Sequence, residues 1–152
     1  MSEAMIKTKD LTRDFNGLRA VNKVNFGVEE GSIFGFLGLN GAGKTITVKM
    51  LTTILRPTEG AAIINGYDIL EDPLEIRKII GVVREESGIT QPTWNPTEYL
   101  KFFGRLHGLE KEERRSRADS LLEKMGLSEF ARAKMGTFSE GMKKKVEICR
   151  AL

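Results

Sequence analysis

The sequence predicts an α/β fold in which a sheet-forming first part precedes a helical second part. Residues 33–37 form an apolar run, residues 38–45 a glycine-rich loop and residues 46–51 a helical pattern. Upstream of this strand, loop and helix, apolar and polar residues alternate as in half-buried strands, and the end of the chain has helical spacing. These patterns divide the chain into an α/β core at residues 1–84 and a helical part at residues 85–152.

The composition is that of an ordinary globular protein, with 40% hydrophobic and 30% charged residues among 152. The net charge of +3 is too small to indicate a nucleic-acid partner. With Cys149 as the single cysteine, no disulfide forms within this sequence. No apolar run is long enough to span a bilayer, and no signal-peptide core is present. We therefore expect a cytoplasmic protein that reaches a membrane only through a partner.

Alternation predicts antiparallel strands around the loop. Residues 5–10 and 20–28 alternate and are expected to pair across a turn at residues 15–17. Residues 61–64 form a further short strand, which the dipeptide at residues 65–66 closes.

Two apolar runs, at residues 33–37 and 79–83, predict strands buried on both faces of a sheet. The helix after the loop is expected to continue to about Leu55, where a proline- and glycine-containing segment stops it. Asp72 and Pro73 begin another short helix.

The second part contains three predicted helices. The first has an apolar stripe that we expect to face the core, formed by Tyr99, Phe102, Phe103 and Leu106. The second spans residues 110–125, and its inner face carries Ala118, Leu121, Leu122 and Met125. Gly108 and Gly126 follow these two helices as stop signals. The third begins after Ser139.

The loop fits the pattern G-x-x-x-x-G-K-[ST], which binds phosphate groups. Its glycines allow backbone N–H groups to cradle phosphate oxygens, and the following helix directs its positive end at the same anion. Lys44 would neutralise the β- and γ-phosphates, and the hydroxyl of Thr45 would ligate Mg²⁺. A glycine-rich turn without a ligand is the alternative. The predicted nucleotide-binding residues of this segment are Gly38, Leu39, Asn40, Gly41, Ala42, Gly43, Lys44, Thr45 and Ile46.

A second candidate site lies at residues 138–142, which we call the signature segment. Ser139 is a good N-cap, and Glu140 suits the positive end of a helix. Gly141 inside the first turn costs about 1 kcal/mol relative to alanine, which suggests that something approaches the backbone closely. Three lysines at residues 143–145 would favour an anion near the helix start. From the residues alone, a capped amphipathic helix and an anion site remain equally open.

Taken together, these stretches resemble the nucleotide-binding subunit of ATP-binding-cassette (ABC) transporters over nearly the whole chain. Residues 38–45 match the Walker A motif of that family. Phe15 stands where the family has an aromatic residue that stacks on adenine. Residues 138–142 stand at the position of the family signature, and residues 50–60 resemble the bacterial and archaeal drug-efflux type.

The resemblance implies a head-to-tail homo- or heterodimer of nucleotide-binding domains, with ATP and Mg²⁺ between the Walker A loop of one and the signature of the other. Ser139 and Gly141 would then touch the γ-phosphate held by the partner subunit's Lys44. The residues implied at this contact are Ser139, Glu140, Gly141 and Met142. ATP binding and hydrolysis would drive a transmembrane permease, so that the protein lies peripherally on the cell membrane.

The sequence departs from the family at Glu85, where the family has a glutamine that contacts Mg²⁺ and the attacking water. We expect Glu85 to contact the metal and to act in catalysis with Lys44, because a carboxylate also ligates Mg²⁺. An exposed loop acid is the alternative.

No apolar strand followed by Asp-Glu, the Walker B pattern of the family, occurs in this sequence. The single histidine, His107, stands at a predicted helix end and not at a switch position. We therefore expect this sequence to be an N-terminal portion that has little ATPase activity alone.

The loop after Glu85 corresponds to the family's contact with the membrane subunit. Trp94 in this loop either forms that interface or folds back on the helical part, and both interpretations stay open. The function predicted first is the ATP-binding subunit of an ABC exporter. A soluble ABC ATPase of DNA repair or translation and a non-hydrolysing nucleotide-binding module are the alternatives.

Overall fold

The computed structural model describes residues 4–84, residue 89 and residues 91–152. The chain falls into two units, residues 1–80 and residues 81–152. Each unit has its own hydrophobic core. Within the described ranges, no helix is both long enough and apolar enough to cross a membrane.

The first unit is organised around its long N-terminal strand, which pairs antiparallel with three other strands. Its described elements are β1 (Ala4–Phe15), β2 (Leu18–Val24), β3 (Gly27–Glu29), α1 (Lys44–Leu51), β4 (Glu59–Ile64), β5 (Tyr67–Asp68) and α2 (Pro73–Ile79). The strands follow the order β2-β1-β4-β5, with β3 also paired to β1. Alternating residues of the sheet pack against the two helices in a core of Leu11, Val21, Met50, Ala62, Ile64, Ile69 and Ile76.

Two tight turns connect the hairpins of this sheet, as predicted. Asn16 and Gly17 have φ values of 45° and 89°, and Asn65 and Gly66 have φ values of 48° and 81°. Positive φ at both central residues matches the right-handed twist of the flanking strands, and Asn-Gly is the dipeptide that adopts it most readily.

The single strand predicted over residues 20–28 is wrong, because the backbone breaks between β2 and β3. Lys23 has a φ of 43°, which ends the regular strand. The side-chain amide of Asn25 donates to the carbonyl of Lys23 at 2.8 Å, and its oxygen accepts from the amide of Asp10 at 2.8 Å. A side chain therefore takes over hydrogen bonds that the ladder would otherwise make.

The buried strand predicted at residues 33–37 is also wrong. This segment has no regular structure, and Ile33 and Leu37 are almost fully exposed. The described residues include no strand that pairs with it. Instead, the rings of Phe34 and Phe36 pack on Phe26 at centroid distances of 5.3 and 5.4 Å.

The strand predicted at residues 79–83 is absent as well, since α2 ends at Ile79 and the following residues are irregular. The helix after the loop ends at Leu51, before the predicted Leu55. The amides of Ile54 and Leu55 both donate to the carbonyl of Lys49 at 3.0 Å, and Thr53 has a φ of 58°. Both bonds go to one carbonyl near the helix end, where the chain turns away.

The second unit is helical, as predicted, and its core lies between three helices. Its described elements are α3 (Pro96–Leu106), α4 (Lys111–Lys124), α5 (Glu140–Ala151) and two short 3₁₀ turns at Ser128–Phe130 and Met135–Thr137. Asn95 caps α3 in a reciprocal capping box with Glu98. The core consists of Tyr99, Leu100, Ala118, Leu122, Leu127, Met135, Phe138, Val146 and Cys149.

The predicted apolar stripe of α3 faces the core only in part. Tyr99 is buried and Phe103 packs on the core, whereas Phe102 is 43% and Leu106 66% exposed. The buried position beside Tyr99 is taken by Leu100 instead. Gly108 follows α3 with a φ of 78°, as its role as a stop signal requires.

Candidate functional site

The glycine-rich loop leads into α1 through two residues in left-handed backbone conformations. Gly41 has a φ of 85° and Gly43 a φ of 84°. The amide of Ala42 is used within the loop, where it donates to the carbonyl of Leu39 at 3.1 Å. Among the described hydrogen bonds, none has the amide of Gly41, Gly43, Lys44 or Thr45 as its donor. These four donors stand at the start of a helix, which is the arrangement that binds phosphate groups.

The backbone of Gly43 lies directly against β2. A Cβ atom at this position would stand 2.5 Å from the carbonyl oxygen of Ala20 and 2.9 Å from Cγ2 of Val21. The buried hydroxyl of Thr47 donates to the carbonyl of Gly43 at 3.0 Å. Only glycine fits here, and the loop is thereby held on the sheet.

Lys44 reaches back over the loop that precedes it. Its Nζ donates to the carbonyl of Gly38 at 2.6 Å and to that of Leu39 at 2.8 Å. Carbonyl oxygens carry only partial charge, and no carboxylate pairs with this ammonium group among the described ion pairs. A positive charge therefore stands at the loop, and the described ion pairs provide no anion that compensates it.

Other predicted loop residues are placed differently. Asn40 and Thr45 are exposed, so the hydroxyl of Thr45 is open to solvent. The side chain of Leu39 is 85% exposed. The side chain of Ile46 packs on the core of the first unit, so only its backbone remains to meet a ligand.

Phe15 ends β1 at the first hairpin turn, and its side chain is 36% exposed. The guanidinium carbon of Arg13 lies 4.5 Å from the centre of its ring. Both residues belong to the same unit as the loop.

The signature segment stands at the start of α5 in the second unit. The hydroxyl of Ser139 accepts a hydrogen bond from the amide of Met142 at 3.3 Å, so the predicted N-cap is present. Glu140 pairs with Lys143 at 2.8 Å. A Cβ atom on Gly141 would meet only the hydroxyl of Ser139, at 3.9 Å. The glycine is thus exposed with open space before it.

The three lysines of α5 do not require an anion, which removes one argument for an anion site. Lys143 pairs with Glu140, as described above. Lys144 donates to the carbonyl of Arg84 and lies 3.4 Å from the buried carboxylate of Glu147. Lys145 donates to the carbonyl of Met125, the C-cap of α4, at 2.9 Å. Each lysine is explained by a partner within the helical unit.

Glu85 lies outside the described residues, so its predicted contact with the metal stays a prediction. Elsewhere in the described chain, no group of three or more His, Cys, Asp or Glu side chains could hold a metal. Trp94 is half-buried and packs edge-on against Phe102 at a centroid distance of 5.2 Å. It also lies against the core of the helical unit. This placement favours the interpretation that Trp94 folds back on its own unit.

Two buried groups of the helical unit are held in their neutral forms. Burial raises the pKa of the Tyr99 hydroxyl, against the charge of Arg150, which lowers it. Burial likewise raises the pKa of the Cys149 thiol, which lies 3.5 Å from the carbonyl of Leu121. A buried thiol with a raised pKa is a poor nucleophile, in line with a packing role.

Sequence reasoning missed Arg13 at the aromatic residue and Lys145 at the end of α4. A cation two positions before Phe15 on the same strand is a signal that could have identified Arg13, because residues i and i+2 share a face. The partner of Lys145 is 20 positions away in the sequence. No local pattern identifies it.

Comparison with known proteins places this geometry in a family. The family model for the ABC transporter matches residues 21–152. The ABC transporter ATP-binding protein NatA of Bacillus subtilis is 36% identical over 153 residues, which cover 97% of this chain and 62% of that protein. The doxorubicin resistance ATP-binding protein DrrA of Mycobacterium tuberculosis is 36% identical over 156 residues, covering 97% of this chain and 47% of that protein. The chain thus spans between 47% and 62% of the length of these relatives.

Solved structures show the same fold. The structure of cbiO1 from Clostridium perfringens, part of the transporter complex cbiONQ, has a TM-score of 0.87 at 24% identity and covers 99% of this chain and 62% of that one. An ATP binding subunit of an ABC transporter has a TM-score of 0.75 at 30% identity, covering 97% of this chain and 61% of that one. The predicted α/β fold of a P-loop core followed by helices is confirmed. The chain therefore belongs to the ABC transporter family, in which its named relatives are ATP-binding proteins.

Proposed function

We propose that this chain is the nucleotide-holding portion of the ATP-binding subunit of an ABC exporter. The observation that supports this most strongly lies at the start of α1. There, four backbone amides donate to no acceptor in the described hydrogen bonds, and they stand beside the ammonium group of Lys44. Such a set offers phosphate oxygens hydrogen-bond donors next to a compensating positive charge. The doxorubicin resistance protein DrrA, 36% identical to this chain, supports a role in export.

On binding ATP, the amides of the loop donate hydrogen bonds to oxygens of the β- and γ-phosphates, and Lys44 turns from its two carbonyl contacts towards the anion. Lys44 thereby exchanges neutral carbonyl acceptors for charged phosphate oxygens. The amides gain an ionised acceptor, and such hydrogen bonds are about twice as strong as those between neutral groups. Phe15 stacks on the adenine ring. Base stacking of this kind contributes about 1–3 kcal/mol.

The residues present fit a Mg²⁺ ion that is held mainly by the nucleotide. Mg²⁺ keeps most of its coordination sphere for phosphate oxygens and water, so that few protein ligands are needed. The exposed hydroxyl of Thr45 would be one ligand, and Glu85 is our candidate for a second. The metal would supply charge neutralisation at the β- and γ-phosphates.

The signature segment is proposed to meet the nucleotide of a second nucleotide-binding domain, in a homo- or heterodimer. Ser139 and Gly141 would contact the γ-phosphate, and the open space before Gly141 supports such an approach. Binding and hydrolysis in this dimer would drive a transmembrane permease, through which the subunit is attached to the cell membrane.

ATP binding by the purified chain tests the proposal. Titration calorimetry with ATP and Mg²⁺ should give one site per chain, and Lys44→Ala should weaken binding at least about tenfold, because a charged hydrogen-bond donor is lost. Lys49→Ala is the matched control, since Lys49 is an exposed lysine of the same helix. It should bind ATP as the unaltered chain does. An affinity that is equal in all three proteins would contradict the proposal.

The role of Glu85 has its own test in the same assay. Glu85→Gln should shift the Mg²⁺ concentration that is needed for half-maximal ATP binding, because a charged ligand is replaced by a neutral one. An unchanged Mg²⁺ dependence would remove Glu85 from the metal site.

A further inference from the structure

Arg13 covers one face of the Phe15 ring. The distance of 4.5 Å between its guanidinium carbon and the ring centre is well inside the range of a cation–π contact. Phe15 nevertheless remains 36% exposed. Because the guanidinium carbon lies over one face of the ring, the opposite face is the one that a planar ligand would use.

The backbone of β1 is irregular at Arg13. Its pairing with β2 shifts register between Leu11 and Arg13 and again between Arg13 and Asp14. Irregularities of this kind bend a strand and redirect a side chain. In this strand, the redirected side chain is Arg13.

Arg13 is also anchored to the segment that follows the loop helix. Its Nη1 donates to the carbonyl of Arg56 at 2.9 Å. Beside it, the amide of Thr58 donates to the carbonyl of Thr12 at 2.8 Å, and the hydroxyl of Thr58 accepts from the amide of Asp14 at 3.0 Å. These three bonds join the end of β1 to the chain leaving α1. The strand that carries Phe15 is therefore hydrogen-bonded to the segment that follows the phosphate-binding helix, within one unit.

One donor of Arg13 is left unused by this arrangement. Its Nε atom is buried and has no hydrogen-bond partner among the described residues. An unsatisfied buried donor destabilises a fold. The guanidinium group is thus placed where it stacks on the ring and reaches the Arg56 carbonyl, at the expense of its remaining hydrogen-bonding capacity.

We propose that Arg13 is a positioning residue for the adenine base. The proposal rests on the proposed ATP binding and on the stacking role of Phe15. Arg13 holds the ring in one orientation before the nucleotide arrives, which lowers the conformational cost of binding. The effect concerns the base alone, because Arg13 contacts neither the loop nor Lys44 in the described hydrogen bonds.

The experiment compares ATP with tripolyphosphate, which has the phosphates without the base. In titration calorimetry, Arg13→Met should weaken ATP binding about two- to fivefold, the range of an exposed cation–π contact, and leave tripolyphosphate binding unchanged. Arg13→Lys keeps the charge without the planar group, so its affinity for ATP should lie between those of the unaltered chain and Arg13→Met. Arg19→Gln is the matched control, because Arg19 lies on the same hairpin but pairs with Asp14. It should change neither affinity.

A double-mutant cycle with Phe15→Leu separates positioning from simple packing. In that background, Arg13→Met should have no further effect on ATP binding. An equal loss in both backgrounds, or an equal loss for ATP and tripolyphosphate, would overturn the role of Arg13. If Arg13→Met does not fold, Arg13→Lys carries the same comparison. Failure of the unaltered chain to bind either ligand would instead contradict the proposed function.

Discussion

Two helix starts in this molecule each contain glycine, yet they differ in what their amides do. At the start of α1, Gly43 is the N-cap in a left-handed conformation and provides no side-chain oxygen. At the start of α5, Ser139 has an extended backbone, and its hydroxyl accepts from the amide of Met142. The first start leaves its donors open, whereas the second satisfies one of them from within the chain.

The charges around the two helix starts also differ: the start of α1 is uncompensated in the described ion pairs, whereas that of α5 is compensated within the chain. The first turn of α1 has no acidic residue and carries the ammonium group of Lys44. The first turn of α5 contains Glu140, which already compensates the helix end and pairs with Lys143. A glycine at a helix start therefore does not by itself leave every amide of the first turn without a partner in the described chain. The start of α1 is prepared for an anion, and that of α5 is a finished cap whose glycine is exposed.

The strongest test of this contrast is Gly43→Ala. The added Cβ atom would meet the carbonyl of Ala20 at 2.5 Å, at a φ of 84°. We expect a destabilisation of about 1–3 kcal/mol and at least a tenfold weaker affinity for ATP, since the amides would move. Circular dichroism during thermal unfolding and calorimetry measure the two effects. Gly35→Ala is the control, because its Cβ would stand in open space. Equal behaviour of the two variants would refute the special role of Gly43.

For Ser139→Ala, the same contrast predicts a loss of stability without a loss of ATP affinity. Loss of the cap should destabilise the helical unit by about 1 kcal/mol and leave ATP binding to the loop unchanged. Trp94 is the single tryptophan and lies in this unit, so urea unfolding followed by its fluorescence reports the change. Ser120→Ala, at an exposed position of α4, should have little effect. A weakened affinity of the monomeric chain for ATP would show that the two helix starts are not independent.

Lys145→Gln sharpens the interpretation of the three lysines. It removes the bond to the carbonyl of Met125 at the C-terminus of α4, where a cation contributes about 0.3–1 kcal/mol. The Trp94 unfolding curve should shift by this amount, whereas Lys111→Gln at the opposite end of α4 should not destabilise. If Lys145→Gln left the curve in place and altered ATP affinity, the lysine would belong to an anion site after all.

The smallest expected effect is a loss of stability of the helical unit in alkali. Burial raises the pKa of Cys149 and Tyr99 in the folded state. Above the unfolded thiol pKa of about 8.5, the unfolded chain binds fewer protons than the folded one, so stability falls as the pH rises. Trp94 unfolding curves measured from neutral to alkaline pH should show this decline. Cys149→Ala should flatten its thiol-dependent part, and an identical slope in both proteins would exclude Cys149 as a source.

Local sequence signals predicted the turns, the helical unit and the cap of α5. Asn-Gly pairs and Ser139 carry their own geometry, and both appear where expected. The apolar runs at residues 33–37 and 79–83 misled the prediction, because apolarity indicates burial while a strand also needs a hydrogen-bonded neighbour. The described residues provide none for either run.

The candidate site, like the fold, was predictable only where a local pattern determines the geometry. The motif identified Lys44 and the glycines of the loop, whose spacing determines their chemistry. The partner of Lys145 depends on a tertiary contact, which local patterns do not encode. The spacing of Arg13 and Phe15 on one strand is a local signal, whereas the irregular pairing of β1 at Arg13 is not.

The central claim is that the start of α1 binds the phosphates on its own and that the start of α5 does not. Amide chemical shifts of the ¹⁵N-labelled chain test this directly during titration with ATP, at concentrations where the chain is monomeric. We expect large shifts for the amides of Gly41, Gly43, Lys44 and Thr45, and none for those of residues 140–142. Shifts confined to residues 140–142, with the loop amides unmoved, would contradict it.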